Sequence, residues 1–108
     1  MVADFLALQG LEVLGRNVRV GRWEIDILAR EGDVVAVVEV RTRGPGSWQR
    51  ALDSVDRGKR ERLRKAAAVL WSRRFARRSD VERMRFDVAS VDLQSGAEPR
   101  VEYVRGAF

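Results

Sequence analysis

Residues 34–42, Val-Val-Ala-Val-Val-Glu-Val-Arg-Thr, constrain the chain more than any other stretch. They form its most apolar run, and such a run predicts a central strand buried on both faces. Glu39 interrupts it. An ionised carboxylate in that setting needs a partner, because transfer out of water penalises an unpaired charge heavily.

The segments on either side fit a mixed sheet. Residues 22–30, Arg-Trp-Glu-Ile-Asp-Ile-Leu-Ala-Arg, alternate, with Trp23, Ile25 and Ile27 expected on one face and Glu24, Asp26 and Leu28 on the other. Glu31-Gly32-Asp33 between the two runs is a hairpin signal. Upstream, residues 2–9 look helical and Gly10 stops them as a C-cap. Residues 11–20 follow as an irregular strand broken at Gly15. Downstream, Gly44-Pro45-Gly46-Ser47 predicts a loop, with a short helical turn over 49–54. Asp56 then caps a helix over 57–76, whose Leu63, Ala66, Ala67, Leu70 and Trp71 recur at helical spacing. Residues 84–93 form a fourth strand, 95–99 a turn and 100–105 a final strand. The order α-β-β-β-α-β-β describes one α/β domain over residues 1–108, and the long helix supplies a parallel crossover.

Composition removes most chemistries. The 108 residues include no cysteine and no histidine, so thiolate catalysis, Ser-His-Asp triads and Cys- or His-ligated metals are excluded. Carboxylates alone point to a hard cation such as magnesium. No apolar run approaches the roughly 20 residues of a membrane span, and residues 1–5 carry no basic leader, so a cytoplasmic location is expected. Charge is segregated. Residues 1–40 carry four Arg against seven acids, residues 41–78 thirteen Lys/Arg against three, and residues 79–108 four Arg against six, giving −3, +10 and −2. A basic middle between acidic ends suggests a polyanionic partner.

A two-residue loop, Gly32-Asp33, makes paired residue numbers across the hairpin add to 65. Asp26 then falls opposite Glu39, and Glu24 opposite Arg41. Directly opposed side chains share a face, and opposed like charges destabilise a sheet. A bound divalent cation removes that repulsion, keeps several waters and can activate one toward a phosphodiester. The competing structural reading pairs Glu39 with Arg41 or Arg43 and leaves Glu24 as an exposed hairpin charge.

Glu24-Ile25-Asp26-Ile27-Leu28-Ala29-Arg30 and Val38-Glu39-Val40-Arg41-Thr42-Arg43 resemble the YraN-like family, a bacterial group with the restriction-endonuclease-like fold. Gly10 with Asn17, Ala51 to Lys59, Arg85-Phe86-Asp87-Val88 and Gly106-Ala107-Phe108 extend the resemblance over nearly the whole chain. It implies a PD-(D/E)xK-type site, similar to Holliday-junction resolvases. Asp26 and Glu39 would be metal ligands for magnesium or manganese, Arg41 would occupy the usual lysine position, and Glu24 would be an accessory residue. Arginine stays protonated, so it can orient a water or stabilise charge but cannot act as a base. Family members also carry a Glu near the start of the first helix. The chain begins after that point, and Asp4 is a poor substitute by position, so the expectation is either a truncated first helix or a site that has lost a ligand.

Arg57, Lys59, Arg60, Arg62, Arg64 and Lys65 crowd the first turns of the long helix, where the macrodipole disfavours cations. Together with Arg43 they are the expected contacts to nucleic-acid phosphates. Trp48 either stacks on a base or seals the core edge. Asp87, beside Arg85, reads as an ion-paired structural residue. The expected activity is metal-dependent endonucleolytic hydrolysis of DNA, rather than RNA, on branched or flapped substrates. Resolvase-like chemistry would require a homodimer. The alternatives are a non-catalytic nucleic-acid-binding module on a degenerate nuclease fold, or a basic helix that meets an acidic protein.

Overall fold

A computed structural model describes residues 2–43, 55–93 and 98–108. The elements are α1 (Val2–Leu8), β1 (Glu12–Val20), β2 (Trp23–Glu31), β3 (Val34–Arg43), α2 (Arg57–Leu70), a π-helical turn (Trp71–Phe75), β4 (Arg83–Asp92) and β5 (Arg100–Val104). The strands lie in one sheet in chain order. β1–β2, β2–β3 and β4–β5 are antiparallel, while β3 and β4 are parallel, as the crossover through α2 requires. This mixed α/β architecture is compatible with the restriction-endonuclease-like fold. Of the loop and helical turn expected over 43–54, Arg43 closes β3 instead, and the rest, with Trp48 and most of the turn at 95–99, falls outside the described residues. Among the described residues no helix is long and apolar enough to cross a membrane.

Local chemistry explains the boundaries. Gly10 takes φ +88°, where a Cβ would be strained, and Leu11 N donates to Leu6 O at 2.9 Å to close α1. Gly32 takes φ +61° at the first position of the two-residue hairpin, which primed turns demand. Asp56 is extended, and its Oδ1 accepts the Lys59 amide at 2.8 Å, satisfying one of the free N–H groups of α2.

The long helix is not uniformly α. Leu63, Ala66, Ala67 and Leu70 are buried, and continued α spacing would next turn Arg74 inward. The π turn adds a residue, Ala76 N bonds Trp71 O at 2.8 Å, and Phe75 enters the core at 1% exposure instead. The sequence pattern shows an amphipathic face but not this slip.

Two apolar layers sandwich the sheet. On the α2 side Leu63, Ala66, Ala67, Leu70 and Phe75 pack on Val20, Ile25, Leu28, Val35 and Val37. On the α1 side Leu6 and Leu11 pack on Ile27, Ala29, Ala36, Val38 and Ala89. Each large aliphatic side chain buried this way contributes on the order of 1.5–3 kcal/mol. Residues Val34 to Glu39 are all buried, as expected for a strand covered on both faces.

Beyond β5 the chain is pinned by Asp87. Its carboxylate accepts Arg85 Nε at 2.8 Å and Nη2 at 2.9 Å, the Tyr103 hydroxyl at 2.5 Å and Gly106 N at 2.9 Å. Asp87 is therefore the ion-paired structural residue its neighbour Arg85 suggested. Burial, reinforced by the Asp87 carboxylate, holds the Tyr103 hydroxyl well above its ordinary pKa, so it remains a donor. Phe108 stacks on Phe86 with ring centroids 5.2 Å apart. Arg60 and Arg64 lie over the Phe108 ring at 5.5 and 5.6 Å.

Candidate functional site

The parallel pair β3–β4 carries its polar exceptions toward the carboxyl ends, where open α/β sheets usually bind ligands. Glu39 stands in register with Val88, and Arg41 with Ser90. Alternation from Val35 and Val37 puts Glu39 on the α2 face. There the Lys59 ammonium reaches Glu39 Oε1 at 2.6 Å. The other oxygen, Oε2, is buried with no hydrogen-bond partner among the described residues, and so is Ser90 Oγ. Glu39 is only 1% exposed. Burial pushes its pKa up, and the Asp26 charge pushes the same way. Lys59 and Arg41 oppose them, and the net direction is upward.

The hairpin register matches the sum of 65 over five pairs, from Glu31↔Val34 to Ile27↔Val38. It ends there, one step short of the expected Asp26–Glu39 pair. The alternation expected for β2 also breaks at this point. Ile25 packs on the α2 side with Leu28, while Ile27 packs on the α1 side, so the expected common face of Trp23, Ile25 and Ile27 is not formed. Asp26 sits at the break, half-buried, and its Oδ2 accepts Val40 N at 2.9 Å. The carboxylate thus takes the place of the next ladder bond and holds β2 and β3 together where their backbones part. Asp26 also lines a cavity of about 360 Å³ with Val2, Ala3, Arg16, Asn17, Ile27 and Val40.

The remaining expected site residues scatter. Glu24 does not face Arg41. It lies on the β1–β2 hairpin with Arg19, 3.8 Å away and exposed. Arg41 is half-buried on β3, and its charge acts on Glu39 and Asp56. Arg43 occupies the last position of β3. In α2, Lys59 is committed to Glu39. Arg60 donates to Val55 O at 3.0 Å and, with Arg64, covers Phe108. Arg57, Arg62 and Lys65 are exposed. Sequence reasoning assigned Lys59 to phosphate and overlooked Ser90. The need of Glu39 for a partner was visible, but nothing local marked which cation would supply it.

The donor set suits a hard divalent cation. Both carboxylates offer oxygen only, and Glu39 keeps one buried oxygen without a partner among the described residues while Lys59 holds the other. Among the described residues no group of three or more His, Cys, Asp or Glu is gathered, so such a cation would rely on water for most of its shell.

A family model described as Uncharacterised protein family UPF0102 matches residues 1–91. A UPF0102 protein of Sorangium cellulosum is 54% identical over 107 residues, covering 99% of this chain and 74% of its own length. One from Pseudomonas paraeruginosa is 39% identical over 111 residues, covering 100% of this chain and 86% of its own. One from Solibacter usitatus is 43% identical over 108 residues, covering 96% and 76%.

Proposed function

We propose that this chain, which belongs to the UPF0102 family, is a magnesium- or manganese-dependent endonuclease that hydrolyses phosphodiesters in DNA of branched or flapped shape. The family is the one to which the segments around Asp26 and Glu39 pointed. One observation carries the reading. Glu39 is a carboxylate at 1% exposure in a strand of valines, with one oxygen orphaned among the described residues and a second carboxylate, Asp26, close enough to raise its pKa. Proteins retain such an arrangement at a cost, and a cation relieves it.

Asp26 and Glu39 are the residues to hold the metal. When bound, the ion supplies a water activated for attack on phosphorus and neutralises phosphoryl charge. The protein's own groups do the rest. Val40 N fixes Asp26, and Lys59 fixes Glu39 so that Oε2 stays available. Arg41 is permanently cationic and stabilises charge on the phosphate oxygens without moving a proton. Exposed Arg57, Arg62 and Lys65 grip backbone phosphates on either side. Resolvase-like cutting of a four-way junction needs two active sites, so for that substrate the reading includes a homodimer, working in the cytoplasm.

A second reading, a non-catalytic nucleic-acid-binding module, is favoured by Lys59. Its ammonium already compensates Glu39 at 2.6 Å, and Arg41 stands where the family's usual lysine would be. Cleavage assays separate the two. The enzyme reading predicts nicking of flapped or four-way DNA in manganese that Asp26→Ala and Glu39→Ala abolish while binding persists. Steeply salt-dependent binding without nicking of any substrate would establish the module instead.

A further inference from the structure

We infer that Arg16 and Asn17 form a phosphate cradle beside Asp26 that holds the nucleic-acid strand one step away from the bond to be cut. The inference deepens the proposed function and rests on it for the identity of the ligand.

The β1–β2 ladder slips between Val13 and Gly15. Two residues later Asn17 adopts φ +49°, the one non-glycine residue with positive φ among those described. Asn tolerates this left-handed region better than most residues, but the conformation is still unfavourable and must be held by its surroundings. Gly15 is part of the device, because a Cβ there would meet Val18 Cγ2 at 3.0 Å. The bulge re-aims two consecutive polar side chains, as bulges beside active sites do. Arg16 stands in register with Ile27, next to Asp26. Both Arg16 and Asn17 line the 360 Å³ cavity that contains Asp26 and Val40.

Charge makes the cavity selective. Arg30, Arg78, Arg85 and Arg105 each have a carboxylate within ion-pair distance, but Arg16 has none among the described residues, not even Asp26 across the cavity. Cation and carboxylate share a cavity without touching, which leaves room for an anion against the guanidinium and a cation against the carboxylate. Val2, Ala3 and Ile27 supply an apolar wall suited to a sugar face. The Asn17 amide adds donors for phosphate oxygens. A phosphodiester chain matches all three surfaces, whereas a free phosphate uses only the polar one.

The test measures anisotropy of a fluorescent flapped DNA in calcium across a salt series. Arg16→Ala should weaken binding about tenfold and make the plot of log K against log salt shallower by about one. Arg16→Lys should restore the slope. Asn17→Gly keeps the backbone able to reach φ +49° while removing the amide, so it should melt no lower than wild type yet bind several-fold more weakly. Wild-type affinity and slope in Arg16→Ala, or unchanged affinity in Asn17→Gly, would overturn the cradle. So would displacement of DNA by orthophosphate that is equally effective against wild type and Arg16→Ala. Manganese binding, followed separately, should be unaffected in both variants. A wild-type protein that binds no manganese but loses DNA affinity on Arg16→Ala keeps the cradle and loses the cutting reaction.

Discussion

Replacing Lys59 by Met should destabilise the protein far more than replacing Glu39 by Gln. Lys59→Met leaves the Glu39 carboxylate at 1% exposure, with Asp26 still repelling it. Breaking a buried pair by removing one partner costs about 3–5 kcal/mol. Against a total of about 5–16 kcal/mol for a chain of this size, taken at roughly 0.05–0.15 kcal/mol per residue, that is about a fifth of the stability or more. At about 4 °C per kcal/mol it lowers Tm by roughly 12–20 °C. Glu39→Gln is different, because the Lys59 side chain is 32% exposed and its charge can turn to water. Its cost should stay below about 1.5 kcal/mol, the size of one ordinary hydrogen bond. The pH dependence has a definite sign. The folded pKa of Glu39 lies above its unfolded value, so the native state binds the proton more tightly. Stability linked to Glu39 is full below the unfolded value of about 4.5 and is lost as pH rises through the folded one. Losing the Lys59 hydrogen bond raises the folded pKa further, so the Lys59→Met deficit should shrink on acidification. Urea unfolding in chelator at neutral and acid pH measures both effects, and the double variant Lys59→Met/Glu39→Gln should recover most of the loss. A deficit under about 1 kcal/mol at neutral pH, or one independent of pH, would refute the reasoning.

Asp87→Asn should cost about 3–5 kcal/mol in urea unfolding, because an amide nitrogen would then face donors from Arg85, Tyr103 or Gly106 at 0% exposure. Asp56→Ala should lower the urea midpoint through loss of the cap on the Lys59 amide, measured the same way. The Lys59 amide, helped by the Arg62 and Arg41 charges, lowers the Asp56 pKa against an opposing effect of burial, so that stability should fade as pH drops below the ordinary carboxylate range. Arg41→Lys should preserve manganese-dependent nicking, while Arg41→Ala should reduce it about 10²-fold in a single-turnover assay, since a positive charge on the phosphate is what the position supplies.

What was legible in the sequence is what short-range chemistry decides. Gly10, the Gly32-Asp33 turn, the Asp56 cap and the valine run each act within a few residues, and the register of the central hairpin followed from its turn. What was hidden depends on elements meeting in space. The alternation of β2 fails at Asp26 because the β2–β3 ladder ends there and Asp26 bonds Val40 N instead, so the face of Ile25 could not be read from parity alone. The π turn appears because Phe75, not Arg74, must reach the core. Lys59, Arg60 and Arg64 looked alike as helix cations. The fold sends one to Glu39 and two to Phe108, leaving Arg57, Arg62 and Lys65 to face solvent. Local sequence does not place Arg16 and Asn17 beside Asp26, because a bulge in β1 carries them there.

Calorimetric titration of manganese into chelator-stripped wild type, Glu39→Gln and Asp26→Asn is the most direct test of a cation seated between these two carboxylates. Saturable binding by wild type that is lost in both variants, with folding intact in all three, is the predicted result. Equal binding by all three proteins, or none by wild type, would contradict it.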